Sequence, residues 1–200
     1  RCSADLSDHD DGLLTPTYSW NTGDGQQIHT SELYTVSVEH VMPGDTLTCT
    51  VTGVDSDGGE VSTAATVEVV NAPPLVSNVA VSSVGGTAYN DGVLMCSADI
   101  EDPEREQLNP TYEWNNVTQN ILSSSTAMEL QLTPSFAAPG DEVKCTVRAT
   151  DSDLAIGEAF GSIDIGNRPP EISSVTIAPA LPLADELIEC TVMVADPDMD

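Results

Sequence analysis

The chain repeats itself, and that limits what it can fold into more than any other feature. Cys2, Cys96 and Cys190 stand 94 residues apart in turn, as do Trp20 and Trp114, while Cys49 and Cys145 are 96 apart. Pro16–Trp20 (PTYSW) returns as Pro110–Trp114 (PTYEW), and Pro43–Val51 (PGDTLTCTV) returns as Pro139–Val147 (PGDEVKCTV). Val54–Asp57 (VDSD) returns as Thr150–Asp153 (TDSD), and Asn71–Pro74 (NAPP) as Asn167–Pro170 (NRPP). So many landmarks in one register mean tandem copies of one folding unit, about 95 residues long. The division this predicts is a repeat lacking its first strand at 1–71, a complete repeat at 72–166, and the opening strands of a third at 167–200. The chain opens inside a strand pattern at Arg1-Cys2 and stops inside a loop pattern at Asp198-Met199-Asp200. It reads as a piece of a longer array.

Within each repeat the apolar residues alternate. Leu47, Cys49 and Val51 alternate with Thr48 and Thr50; Val143, Cys145, Val147 and Ala149 alternate with Lys144, Thr146 and Arg148. Shorter runs do the same around Val79–Val81, Met128–Leu132 and Val175–Ile177. A period of two marks half-buried strands, and the Gly, Pro, Asn and Asp between them mark turns. No helical stripe competes. About seven short strands per repeat predict an all-β sandwich. Aromatics make up only 4% of the chain, so the core must be built from Val, Leu, Ile and Ala around few rings.

Each repeat has an early and a late Cys, 47 or 49 residues apart, and a Trp 18 residues after the early one. In this frame the chain resembles the tandem immunoglobulin-like (Ig-like) domains of large bacterial surface and secreted proteins, and more distantly cadherin repeats. The resemblance implies tandem Ig-like β-sandwiches of about seven strands, with Cys on strand B, Trp on strand C and Cys on strand F. It implies disulfides Cys2–Cys49 and Cys96–Cys145, with the partner of Cys190 outside the chain. Free buried thiols are the alternative reading. Metal binding by cysteine is disfavoured, because no CxxC pair occurs. Antibody-type domains carry Tyr two residues before the second Cys, and Leu47 and Val143 stand there instead, which argues against the vertebrate immune family. Disulfides would place the protein in an oxidising compartment, extracellular or at a cell surface.

Charge narrows the function. Five basic residues face 33 acidic ones, a formal net charge of −28. Such a surface repels phosphate backbones and anionic lipids, so nucleic-acid partners and membrane insertion are not expected. The acids cluster. Each early Cys is followed at +6 and +8 by an acid: Asp8 and Asp10, Asp102 and Glu104, Asp196 and Asp198. Each late Cys is followed by Asp55 and Asp57, or Asp151 and Asp153. In a seven-strand sandwich the two following loops share one end, where the linker residues Asn71 and Asn167 also enter. Four gathered carboxylates repel one another unless a cation joins them, and Ca²⁺ takes six to eight oxygens. Cadherin repeats, which bind Ca²⁺ between domains through a DxD motif, are similar here. The resemblance thus names Asp8, Asp10, Asp55, Asp57, Asn71, Asp102, Glu104, Asp151, Asp153, Asn167, Asp196 and Asp198 as the candidate Ca²⁺ ligands. The competing reading is that these are solvated turn acids.

Nothing points to catalysis. His9, His29 and His40 do not recur in the second repeat, and no GxSxG, HExxH or phosphate loop is present. Acid pairs that repeat in every module are unlike a glycosidase centre, which an enzyme needs once. Asn116-Val117-Thr118 has the form of a glycosylation sequon. The expectation is a non-enzymatic segment of a long extracellular array acting as a stalk, adhesin or surface filament. Its partners would be neighbouring repeats, other copies of itself or cell-surface ligands. The alternative is that these are accessory or ligand-binding modules of a large secreted enzyme.

Overall fold

The computed structural model describes residues 1–199, and among them there is no helix, only strands and loops. The fold is all-β, as the alternation predicts. Among the described residues no helix is long and apolar enough to cross a membrane. The chain divides into two compact units: Arg1–Pro73 with Asp102–Gln107, and Pro74–Glu101 with Leu108–Asp200.

Unit 1 contains β1 (Ser7–Asp8), β2 (Gly12–Leu13), β3 (Thr17–Asn21), β4 (Gln27–His29), β5 (Thr46–Val54) and β6 (Glu60–Glu68). Its main sheet has the order β4-β3-β5-β6, all antiparallel, and β1 and β2 form a short hairpin. Along β5, Leu47, Cys49, Val51 and Gly53 are buried while the residues between them are not. That is the period of two realised as one inward face. Trp20 lies opposite Cys49 in the ladder, and Cys49 is bonded to Cys2. The indole Nε1 donates to Ser31 O at 2.8 Å, so the buried ring keeps its one polar group satisfied.

Unit 2 contains β7 (Leu75–Ser83), β8 (Val93–Glu101), β9 (Thr111–Asn116), β10 (Ile121–Leu122), β11 (Glu129–Gln131), β12 (Glu142–Thr150), β13 (Ile156–Asp164), β14 (Glu171–Ala178) and β15 (Glu189–Ala195). One sheet has the order β10-β9-β12-β13, a second has β11-β8-β7, and β14 and β15 pair as a hairpin. The first two sheets form a sandwich closed by the Cys96–Cys145 disulfide. Trp114 lies opposite Cys145, the register of Trp20 and Cys49, and donates to Ala127 O at 2.9 Å. Around it Leu94, Leu130, Leu132, Val143 and Val147 form a dry core.

Strand β7, paired with β8, completes that core by lying against β13 of the opposite sheet. Its ladder with β8 slips between Ser77 and Ala80, where Asn78 takes a positive φ of 51° and its amide donates to Asp99 Oδ2 at 2.7 Å. The slip brings the β7 backbone against β13. A Cβ at Gly157 would lie 2.0 Å from Pro74 O, and one at Gly161 would lie 2.6 Å from Val79 O. Only glycine admits a backbone that close.

Candidate functional site

The acids that follow the early cysteines have an observed task. Asp8 Oδ1 accepts the N–H of Asp10 at 2.8 Å, and Asp102 Oδ1 that of Glu104 at 2.9 Å. Asp196 Oδ1 accepts that of Asp198 at 2.8 Å. Every +6 acid thus bonds the backbone of its +8 partner, an Asx turn that shapes the loop. Asp102 Oδ1 also accepts Glu106 N–H at 3.1 Å. The acids after the late cysteines behave alike. Asp55 Oδ1 accepts from Asp57 and Gly59 N–H at 2.9 and 2.6 Å, and Asp151 Oδ1 accepts from Ala155 N–H at 2.7 Å.

The +8 acid does something else, which its spacing did not disclose. In unit 1 the Glu104 carboxylate accepts the N–H of Ala72 at 3.3 Å through Oε1. In unit 2 the Asp198 carboxylate accepts the N–H of Arg168 at 2.5 Å through Oδ2. Ala72 and Arg168 are the same position of the NxPP linker. Prolines lack an N–H, so this amide is the last donor before the pair. In these two copies the second acid of the motif is a linker clamp, whereas Asp10 in the first is exposed.

The two clamps differ in what surrounds them. Arg168 reinforces its own, with Nε and Nη2 lying 2.8 and 2.7 Å from Asp198 Oδ1. Nη2 also reaches Asp91 Oδ1 at 3.1 Å and Pro197 O at 3.1 Å, and the guanidinium lies over the Tyr89 ring at 4.7 Å. Asn90 Nδ2 donates to Asp198 O at 2.6 Å. The Asp198 side chain has no exposed surface. Burial works to raise its pKa, but the Arg168 N–H and guanidinium outweigh it and hold the carboxyl below the usual carboxylate range. The Arg168 pKa is raised, chiefly by its hydrogen bond to Asp198. Ala72 offers no such cation, and in unit 1 Asp102 Oδ2 and Glu104 Oε2 are buried without a hydrogen-bond partner among the described residues.

Other candidates are spread out. Asp10, Asp57, Asp153 and Asn167 are exposed, and Asn71 is half-buried. Asp8 and Asp55 line one cavity of about 230 Å³, so their two loops do meet in unit 1. The bond that joins those loops involves neither residue: Asp11 accepts from Ser56 N at 2.8 Å and Oγ at 3.0 Å, which lowers the Asp11 pKa. Among the described residues no three acidic, histidine or cysteine side chains are arranged to hold a metal ion. The two unpartnered oxygens of Asp102 and Glu104 are hard anionic donors of the kind a hard cation takes.

The sequon does not survive folding. Asn116 is fully buried, and its Nδ2 donates to Phe136 O at 2.7 Å and to Asp141 Oδ2 at 2.8 Å. Cys190 is exposed and has no disulfide partner among the described residues. No protein-family model matches the chain, and no curated protein matches it. The class that fold and site define is therefore a disulfide-bonded all-β sandwich protein with acid-built loops, and its two disulfides belong in an oxidising compartment.

Proposed function

We propose that this chain is a structural segment of an extracellular array of Ig-like sandwiches: a stalk, adhesin or surface filament, not an enzyme. One observation carries the reading. Acids that could have formed a reactive centre are used to build loops in all three copies, and in two of them to hold the linker amide before two prolines. Residues invested in the joint between modules serve distance and direction, which are the needs of a scaffold. The partners of this reading are neighbouring repeats, other copies and cell-surface ligands.

Calcium enters the proposal at one place. Bound at Asp102 and Glu104, it would neutralise two buried oxygens and stiffen the loop that holds Ala72. Calorimetric melting of the oxidised chain with about 2–5 mM Ca²⁺, near saturation for extracellular modules, against EDTA tests this. A rise in Tm lost in Asp102→Asn and Glu104→Gln is expected. An equal Tm in both buffers removes calcium and leaves the carboxylate clamps as the source of stiffness. The scaffold reading is tested by pulling single chains. Unfolding forces should fall in Glu104→Gln and Asp198→Asn, and forces equal to the parent chain would count against it.

A further inference from the structure

We propose that the outer face of the sheet β10-β9-β12-β13 carries a binding site for a neutral saccharide. The inference rests on the scaffold reading and deepens it by naming the class of cell-surface ligand. All residues of the site belong to unit 2 and to its complete repeat. A cavity of about 250 Å³ is lined by Thr111 and Glu113 of β9, Thr146 and Arg148 of β12, and Ser123 and Ser125 of the segment between β10 and β11. In the ladder Thr111 lies opposite Arg148 and Glu113 opposite Thr146, so these four form one block on two adjacent strands. Trp114 and Cys145, the residues between them in sequence, face the core on the other side.

The lining matches a sugar ring chemically. A sugar hydroxyl donates and accepts at once, so a site that satisfies it must offer both kinds of partner. Arg148 donates, the Glu113 carboxylate accepts, and the hydroxyls of Thr111, Thr146, Ser123 and Ser125 can do either. The two serines are held in place: Ser123 Oγ accepts the N–H of Ser125 at 3.1 Å, and Ser125 Oγ that of Ala127 at 3.4 Å. On the next strand Phe160 lies opposite Thr146 and is 67% exposed. Lys144 Nζ stands 5.2 Å from its ring centroid, a cation–π contact that orients the ring. A pyranose has an apolar C–H face for such a ring and a rim of hydroxyls for the block beside it.

Charge selects a neutral ring. Arg148 Nε donates to Glu158 Oε2, and Nη1 stands 3.8 Å from Glu113 Oε2, so the guanidinium is already matched. A net charge of −28 repels anions from the chain as a whole. The cavity is smaller than the roughly 300–1,000 Å³ of sites that enclose drug-sized ligands, so it takes one ring of a saccharide chain. The first repeat shows that the fold does not require these residues. Where unit 2 has Glu113, Arg148, Glu158 and Phe160, unit 1 has Ser19, Thr52, Ser62 and Ala64 in the same ladder register. The tryptophan, the disulfide and the PGD turn recur because the sandwich needs them, and this block does not recur. It is a property of one copy's surface.

Amide NMR of the isotope-labelled 200-residue chain, titrated with neutral tetrasaccharides of glucose, galactose, mannose and N-acetylglucosamine, tests the proposal. At least one sugar should shift the amides of Glu113, Ser123, Ser125, Thr146 and Arg148 to saturation and leave those of Ser19, Thr50 and Thr52 in place. Arg148→Thr and Phe160→Ala install the residues of the first repeat, and each should weaken binding at least about tenfold. Both positions are exposed, so both variants should keep a Tm close to the parent's. A tetrasaccharide of galacturonate, with a carboxylate on every ring, should bind more weakly than its galactose counterpart. No shift with any of the neutral sugars, equal shifts in both units, variants that bind like the parent, or tighter binding of the galacturonate chain would each overturn the proposal. None of these outcomes bears on the calcium and pulling measurements, so the scaffold reading stands or falls separately.

Discussion

Units 1 and 2 hold the same tryptophan against the same disulfide in the same register, yet they bury unequal cores. Unit 2 gathers Trp114 and its disulfide inside a cluster that runs from Val76 to Ile165, whereas the cluster around Trp20 consists of Cys2, Cys49 and Val51. In unit 2 β7 lies over β13, while the residues of its counterpart β6 in unit 1 are exposed. A frame of Cys, Trp and Cys therefore sets the register of a sandwich without completing its core. Completion comes from a strand distant in sequence, which needs glycine where it lands.

Reduction should break this comparison most sharply. Each disulfide closes a loop of 47 or 49 residues, worth about 4 kcal/mol by loop entropy. Unit 1 has less core to fall back on. With reductant, near-ultraviolet circular dichroism and proteolysis should show unit 1 unfolding while unit 2 persists. Simultaneous loss of both units would mean that the core difference carries no weight.

Truncating the two tryptophans should come next. Trp114 is 0% exposed and Trp20 6%, so the first loses more packing. Trp114→Ala should cost about 3–5 kcal/mol by denaturant melting, and Trp20→Ala measurably less. Equal costs would show that unit 1 packs as tightly as unit 2.

The glycines sharpen the contrast further. Gly157→Ala puts a methyl group against a backbone carbonyl and should destabilise unit 2 by about 1–3 kcal/mol. Val61→Gly at the matching place in unit 1 should cost about 1 kcal/mol or less. Similar values at the two sites would mean that β7 gives way easily.

The smallest effect expected is on the linkers. Asp198 is held below the usual carboxylate range, so its stabilising effect is complete above about pH 5 and fades as pH falls through the ordinary value near 3.9 and below. The amide resonance of Arg168 should shift over that range. In Asp198→Asn the Arg168 shift should vanish, and its persistence would show that the Asp198 carboxylate is not the group that governs this amide.

Much of this architecture is legible in the residues. Alternation through Leu47–Val51 and Val143–Ala149 marks β5 and β12, and the tryptophan and cysteine spacing marks what faces the core, because a strand's side chains repeat every second residue regardless of context. The acid motif was only half legible. Its turn-forming half follows from local Asp chemistry, since Asp8, Asp102 and Asp196 each reach a backbone two residues on. The clamp half was hidden, because Glu104 and Ala72 lie 32 residues apart, and Asp198 and Arg168 lie 30 apart. The prolines of NxPP were the available signal: they leave one amide in need of an acceptor. Asn116 misleads in the opposite way, since a sequon is a three-residue pattern and burial is not.

The sequence by itself determined the repeat, the strands, their inward faces and the loops that acids fold, because each depends on neighbours within a few residues. Only the tertiary structure decided where β7 meets β13, and which carboxylate meets a guanidinium and which meets none. Those outcomes depend on backbones from distant segments approaching within hydrogen-bond or van der Waals reach. At the clamps the difference is small in the chain, Arg168 against Ala72, and its consequence exists only where the folded segments meet.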